Sequence, residues 1–276
     1  MSTTTGTTGS HDDVVTVEVS DWVATIRLNR PDRRNALSSA VIEALPRLAS
    51  TAARRDDVRV LIVTGADPAF CAGLDLMELG SSGDNLGLPV DAPFPWPWDA
   101  AGKPVIGAIN GAAVTGGFEL AVCCDILIAS DRARFADTHA RIGQVPGAGL
   151  TVNLPRLIGQ ARAREMSFTG NFISADTALE WGIVSRVVPH AELLPAARAL
   201  AADIVGNDPE TVVAVNQMYR AAEALPYPEA LALEAAMARD WQAVHNDPAV
   251  VAERREKVLA RAHGQLARLT GDGPQG

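Results

Sequence analysis

Ile106 to Glu119 reads I-G-A-I-N-G-A-A-V-T-G-G-F-E. A short apolar run stops at Asn110-Gly111, small residues follow, and Gly116-Gly117 opens an apolar helical pattern with one carboxylate, Glu119. Such a run fits a buried strand that bends through glycine straight into a buried helix. Val58 to Val63 before Pro68 to Leu76 has the same form, and so does Asp125 to Ala129 before Phe135 to Leu150. Recurrence at roughly 40- to 50-residue spacing predicts an α/β layered core with crossover helices. No G-x-G-x-x-G follows any of these strands and G-x-x-x-x-G-K-[ST] does not occur, so the core lacks a nucleotide-binding signature.

The other segments can be placed around this core. Residues 1–12 are rich in Ser, Thr and Gly and read as a disordered tail. Val15 to Leu28 alternates as a hairpin with one buried face and a turn at Ser20-Asp21. From Leu37 the spacing of Val41, Leu45, Leu48 and Ala52 predicts a helix that Pro46 kinks or ends early. Asp75 stands at the start of a helix. Residues 80–102 are irregular, and their Phe94, Trp96 and Trp98 either pack on their own domain or wall an apolar pocket. Ser174 opens a short helix that Gly182 closes. After Pro189 the chain becomes Ala- and Leu-rich, with helices expected over 192–205, from 208, over 227–245 and from 247 to about 263. The expected division is a core over 13–189, a helical region over 190–265 and a tail over 266–276.

Composition narrows the function classes. The chain has 276 residues, of which 47% are hydrophobic, and a net charge of -9. A large core is available, and the acidic balance argues against a nucleic-acid partner. Cys71, Cys123 and Cys124 form neither a disulfide framework nor a metal-binding spacing. No secretory leader and no apolar run long enough to span a membrane is visible. The expectation is a cytoplasmic protein with no membrane partner and no metal.

Gly116 and Leu74 each offer a backbone amide at the end of a strand, where a helix begins. Two such amides converging would hold a developing oxyanion, although bend glycines are also commonly structural. Glu119 lies one turn beyond Gly116 within Phe118, Leu120, Ala121 and Val122. It reads as a general acid/base of raised pKa, as one half of a salt bridge, or as a solvated helix position. His139, between Asp137 and Arg141 in a glycine-rich segment, reads either as a base near neutral pH or as a hydrogen-bonded structural residue.

Four segments, in order, resemble the signatures of the enoyl-CoA hydratase/isomerase, or crotonase, superfamily. They are N-R-P-x-x-x-N-A-L (Asn29 to Leu37), F-C-A-G-L-D-L (Phe70 to Leu76), Lys103 to Asp125, and G-Q-V-P-G-A-G (Gly143 to Gly149). The likeness covers about residues 14 to 265. It implies a spiral of ββα units with a C-terminal helical region that builds a homotrimer or a dimer of trimers. It implies an acyl-CoA thioester as substrate, with coenzyme A part of the substrate and no permanently bound cofactor. The thioester oxygen would sit between the amides of Leu74 and Gly116.

The resemblance also places CoA and pantetheine contacts at Arg30, Arg34, Ala69, Ala72, Asp75, Leu76 and Lys257, with Arg27, Arg33 and Lys103 as further candidate phosphate contacts. The acyl pocket would take in Phe94, Trp96, Trp98, Phe118, Pro146 and Gly147. Family hydratases use two glutamates, one matching Glu119 and one in a segment F-G-x-P-E. That segment is Phe135-Ala136-Asp137-Thr138-His139 here, so His139 stands where the second glutamate belongs. A family glycine is likewise replaced by Thr115. The expected activity is enoyl-CoA hydration by Glu119 and His139, with Asp137 assisting. Enoyl-CoA isomerisation, racemisation, decarboxylation, C–C hydrolysis and acyl-CoA binding without turnover are the alternatives.

Overall fold

The computed structural model describes residues 14–82, 102–245 and 247–270. It falls into two compact units, Met1–Asn216 and Gln217–Gly276. In the first, strands β1 (Val15–Ser20), β2 (Val23–Leu28), β3 (Val60–Gly65), β5 (Val105–Ile109), β7 (Ile126–Ser130) and β10 (Arg186–Val188) form one sheet. Its order is β1-β2-β3-β5-β7-β10, parallel except for the β1–β2 hairpin. Short strands β4 (Ala69–Cys71), β6 (Ala112–Val114), β8 (Arg134–Ala136) and β9 (Ile173–Ser174) form a second sheet in that order.

The repeat is visible in this pairing. β3 leads to β4 and then to helix α2 (Leu76–Ser82), and β5 leads to β6 and α3 (Gly116–Val122). β7 leads to β8 and, through a short 3-10 turn at His139–Ile142, to α4 (Leu150–Thr169). Each unit is therefore a long strand, a short strand and a helix, the crotonase-like spiral of ββα units. The long strands begin at Val60, Val105 and Ile126, so the repeat is less even than the sequence spacing implied.

Several local expectations change. The hairpin turns at Asp21-Trp22, both at positive φ, and β2 is buried on both faces rather than one. Val17 and Ile26 face the α1 side, whereas Val23 packs with Leu193, Ala197 and Ala201 of α6 (Leu193–Val205). Helix α1 (Ser39–Ala53) passes through Pro46 without ending, capped by the Ser38 hydroxyl on the Val41 amide. Its apolar face of Val41, Leu45, Ala49 and Ala52 is buried, which outweighs one lost helical hydrogen bond. Helix α4 is absent from the sequence reading. Pro155 lies inside it and Gly159 breaks its helical geometry at φ 79°, so its periodicity is weak.

Because α6 covers the main sheet, the first unit extends to Asn216 and takes in α6, beyond the boundary expected at 189/190. α7 (Pro209–Ala222) begins in that unit, with the Asp208 side chain accepting the Thr211 amide at 3.0 Å. The second unit holds α8 (Tyr227–His245) and α9 (Pro248–Thr270). The final helix runs to Thr270, past the expected end near His263.

Candidate active site

The site is built at the C-terminal ends of β3, β5 and β7, where the short strands branch off. β4 and β6 pair in parallel, as do β6 and β8. Their ends set the starts of α2, α3 and the 3-10 turn side by side.

Leu74 and Leu37 form an isolated parallel bridge. It uses the Leu37 amide to Gly73 O at 2.8 Å and the Asp75 amide to Leu37 O at 3.0 Å. Amides alternate in direction along an extended chain, so the Leu74 N–H faces the opposite side. Gly116 is the first residue of α3, where no carbonyl one turn back can accept its N–H. A Cβ added at Gly116 would lie 3.9 Å from Leu74 N, and one added at Gly73 would lie 3.3 Å from Gly116 N. The two amides predicted from sequence are therefore neighbours. Gly73, at φ 89°, makes that approach possible.

Glu119 is buried, at 4% exposure. Its Oε1 accepts from the Ala148 amide at 2.8 Å and, more weakly, from Leu150 at 3.5 Å. The G-Q-V-P-G-A-G segment thus wraps the carboxylate and leads into the positive end of α4. Burial nevertheless raises the Glu119 pKa, against the pull of the Ala148, Leu150 and Gly147 amides and of His139. Its other oxygen, Oε2, stands 3.7 Å from His139 Nε2.

His139 is also buried and lies in the 3-10 turn rather than in an open loop. Its Nδ1 is 2.6 Å from Asp137 Oδ1, which also accepts the His139 backbone N–H at 3.2 Å. Burial acts to raise the Asp137 pKa, but the hydrogen bond from His139, aided by Ser167, brings it below the ordinary carboxylate range. Asp137 therefore stays ionised and holds a proton on Nδ1, which turns Nε2 toward Glu119. The order Asp137, His139, Glu119 is a continuous line of acid/base groups.

The other expected residues divide. Asp75 ties Arg30 at 3.0 Å through Oδ2, while its Oδ1 accepts the Met77 amide at 3.2 Å and caps α2. Burial would raise its pKa, but Arg30 and the helix amides leave it lowered. Arg30 also donates to Ala36 O at 2.7 Å, so both side chains brace the loop. The carbonyl of Ala69 accepts from Asn35 Nδ2 at 2.7 Å, and the amide of Ala72 donates to Arg34 O at 3.0 Å. Leu76 is exposed beside them.

Phe118 does not line an acyl pocket. It is fully buried in the core with its ring 5.6 Å from that of Phe135, because position 118 turns away from the helix face that carries Glu119. Pro146 is half-buried and Gly147 exposed, in the loop that holds Glu119. Lys103 lies just before β5, at the opposite end of the sheet from Asn110, and donates to Arg55 O at 2.8 Å. Phe94, Trp96 and Trp98 lie outside the described residues, as does the side chain of Lys257 on α9.

Sequence reasoning missed three contributors. The Ala148 amide carries no side-chain signal. Asn35 sits at φ 55° and staples Arg30 N, Ala66 O and Ala69 O, a role that the motif letter N alone does not convey. Thr138 joins its hydroxyl to that of Thr115 at 2.6 Å.

A ββα spiral with two adjacent free-facing amides and a buried acid opposite an imidazole defines a crotonase-like protein. The model of the family described as Enoyl-CoA hydratase/isomerase matches residues 18–258. The chain belongs to that family. It is 39% identical over 217 residues to "Probable enoyl-CoA hydratase 1, peroxisomal" of Arabidopsis thaliana, covering 78% of this chain and 81% of the relative. It is 35% identical over 236 residues to "Probable enoyl-CoA hydratase, mitochondrial" of Dictyostelium discoideum, covering 84% of each. A crystal structure of enoyl-CoA hydratase from Mycobacterium smegmatis matches with a TM-score of 0.70 and 52% identity, over 83% of this chain and 98% of that one.

Proposed function

We propose that the protein is an enoyl-CoA hydratase, adding water across the 2,3 double bond of an acyl-CoA thioester. The observation that carries this reading is the 3.7 Å approach of Glu119 Oε2 to His139 Nε2, with Asp137 fixed behind the imidazole. A water at ordinary hydrogen-bond distance, about 2.8 Å, from both atoms fits as the apex of a triangle on that base. Ionised Glu119 takes a proton from the water as its oxygen bonds to C3. The π electrons shift to the thioester oxygen, which the Leu74 and Gly116 amides hold. The imidazolium of His139, stabilised by Asp137, then gives a proton to C2. Glu119 ends protonated and His139 neutral, and return of one proton between these facing groups resets the pair. Coenzyme A acts only as the carrier of the acyl group.

Crotonyl-CoA hydration tests this. Glu119→Gln and His139→Ala are each expected to lower kcat by about 10²- to 10⁴-fold, the scale of a single acid/base group. Full kcat in His139→Ala overturns the pair mechanism. Relatives named as probable enoyl-CoA hydratases support the reading.

A second reading is isomerisation of the double bond. It is favoured by the imidazole in place of a second carboxylate, since one shuttle group can move a proton between C4 and C2. Product masses across a panel of acyl-CoA thioesters separate the two, because only hydration adds the mass of water. The exposed Val152, Leu157, Phe168 and Phe172 on and after α4 are the surface we assign to contacts in a homotrimer or dimer of trimers. Sedimentation of the Phe168→Asp variant as a monomer would support that assignment.

A further inference from the structure

The two hydroxyls at Thr115 and Thr138 lie where the pairing of β6 and β8 stops. The last backbone pair is Val114 with Ala136, followed by the Thr115 amide to Ala136 O at 3.0 Å. Beyond it the chains diverge. One enters α3, which carries the Gly116 amide and Glu119, and the other passes through Asp137 into the turn that begins at His139. The Thr115–Thr138 hydroxyl contact at 2.6 Å is a further rung of the ladder, made from side chains.

Thr115 is an expensive way to make that rung. It is buried and holds φ 54° and ψ -117°, a conformation suited to glycine and unfavourable for a β-branched residue. It stands at the N-cap of α3, where a threonine hydroxyl would ordinarily accept a helix amide, yet it makes no side-chain cap. Its carbonyl instead starts the helix by accepting from Phe118 and Glu119, each at 2.9 Å. Thr138 lies between Asp137 and His139, and its carbonyl accepts the Arg141 amide at 3.0 Å. Both threonines stand where the resembled signatures carry glycine and proline. The departures at 115, 138 and 139 are thus linked, Thr115 touching Thr138 and Thr138 preceding His139 in the chain.

We propose that the Thr115–Thr138 hydroxyl pair is a positioning device that sets the spacing of Glu119 and His139. The proposal rests on the acid/base reading of those two residues. Neither threonine takes a proton from the substrate. The pair fixes the helix opening to the turn, so that the facing groups on the two elements keep one separation.

The test is a set of kinetic and melting measurements on Thr115→Gly, Thr138→Val, Thr138→Ser and the Thr115→Gly/Thr138→Val double variant. Thr138→Val keeps shape and loses the hydroxyl, whereas Thr138→Ser keeps the hydroxyl and is expected to restore kcat. Thr115→Gly removes the hydroxyl and also relieves the positive φ. It is expected to melt no lower than the parent yet lose kcat about tenfold with KM changed little, as for loss of an interaction felt in the transition state. The double variant is expected to be no worse than the weaker single, because both remove the same contact. Parent-like kcat in folded Thr115→Gly and Thr138→Val, or losses that multiply in the double variant, overturns the proposal. If His139→Ala abolishes turnover while these variants do not, this proposal fails alone. If His139→Ala keeps full turnover, the acid/base reading fails with it.

Discussion

Asp137→Asn tests the acid/base line with little change of shape. The side chain is buried, and its Oδ1 accepts both His139 Nδ1–H at 2.6 Å and the His139 backbone N–H at 3.2 Å. An asparagine oxygen can keep both bonds, so the turn stays in place while the charge is removed. Hydrogen bonds to a charged partner contribute about 1.5–3 kcal/mol. Two unit charges about 4 Å apart interact by about 4 kcal/mol at an effective dielectric near 20, which sets the ceiling. At about 1.4 kcal/mol per tenfold, the lower range predicts a kcat loss of roughly 10- to 150-fold. KM is expected to change little, since Asp137 lies behind the imidazole and away from the Leu74 and Gly116 amides. The assay is loss of the ultraviolet absorbance of the conjugated enoyl thioester, with far-ultraviolet circular dichroism to establish folding. A folded Asp137→Asn variant within about twofold of the parent kcat would refute the role given to this carboxylate.

Further outcomes follow from the same geometry. Burial raises the Glu119 pKa, so its folded-state contribution is fully present below the unfolded value and is lost as pH rises through the folded one. Glu119→Gln is therefore expected to melt higher than the parent at neutral pH, with the gain disappearing in acid, while hydration is lost. Asp137 has the opposite sign: its lowered pKa adds stability above the unfolded value that is lost as pH falls through the folded one. Asp137→Asn should accordingly melt lower at neutral pH and converge on the parent in acid, which thermal melts across pH will show. A Cβ on Gly117 would meet Cys71 O at 2.2 Å, whereas one on Gly116 comes no closer than 3.2 Å, to the Leu37 side chain, with backbone no nearer than 3.8 Å. Gly117→Ala should lose about 1–3 kcal/mol in urea unfolding and Gly116→Ala distinctly less. Arg30→Met removes the guanidinium that pairs with the buried Asp75 at 3.0 Å, and a loss of about 1–3 kcal/mol is expected in the same measurement.

The long strands and most helix starts are legible because they depend on local chemistry. Ser174 and Asp208 accept amides at the helix openings, and Gly182 takes left-handed φ at a helix end. Helix α4 is not legible, since Pro155 and the φ 79° of Gly159 disrupt the pattern that periodicity detects. The site follows the same division. Glu119 could be singled out because a lone acid in an apolar helix is costly, and His139 because it stands in a glycine-rich turn. Their 3.7 Å meeting is set by the β6–β8 register, which joins residues far apart in the chain. The Ala148 amide and the Thr138 hydroxyl depend on that tertiary register and leave no local signal. Phe118 was misread for a related reason: adjacent residues on a helix point about 100° apart, and only the packed structure says which direction is core.

The charges at the site require one another. Asp137, ionised by its bonds to His139, commits the Nδ1 proton and leaves Nε2 as the working atom. Glu119 faces that atom from a buried position in which its own charge is disfavoured. A proton held between the two groups makes their 3.7 Å approach attractive, and in the proposed cycle one proton returns from Glu119 to His139 at each turnover. Replacing both Glu119 and His139 should then cost little more than replacing the worse of them, since either single change already removes the shared proton. Multiplicative losses in the Glu119→Gln/His139→Ala double variant would show instead that the two groups act in separate steps.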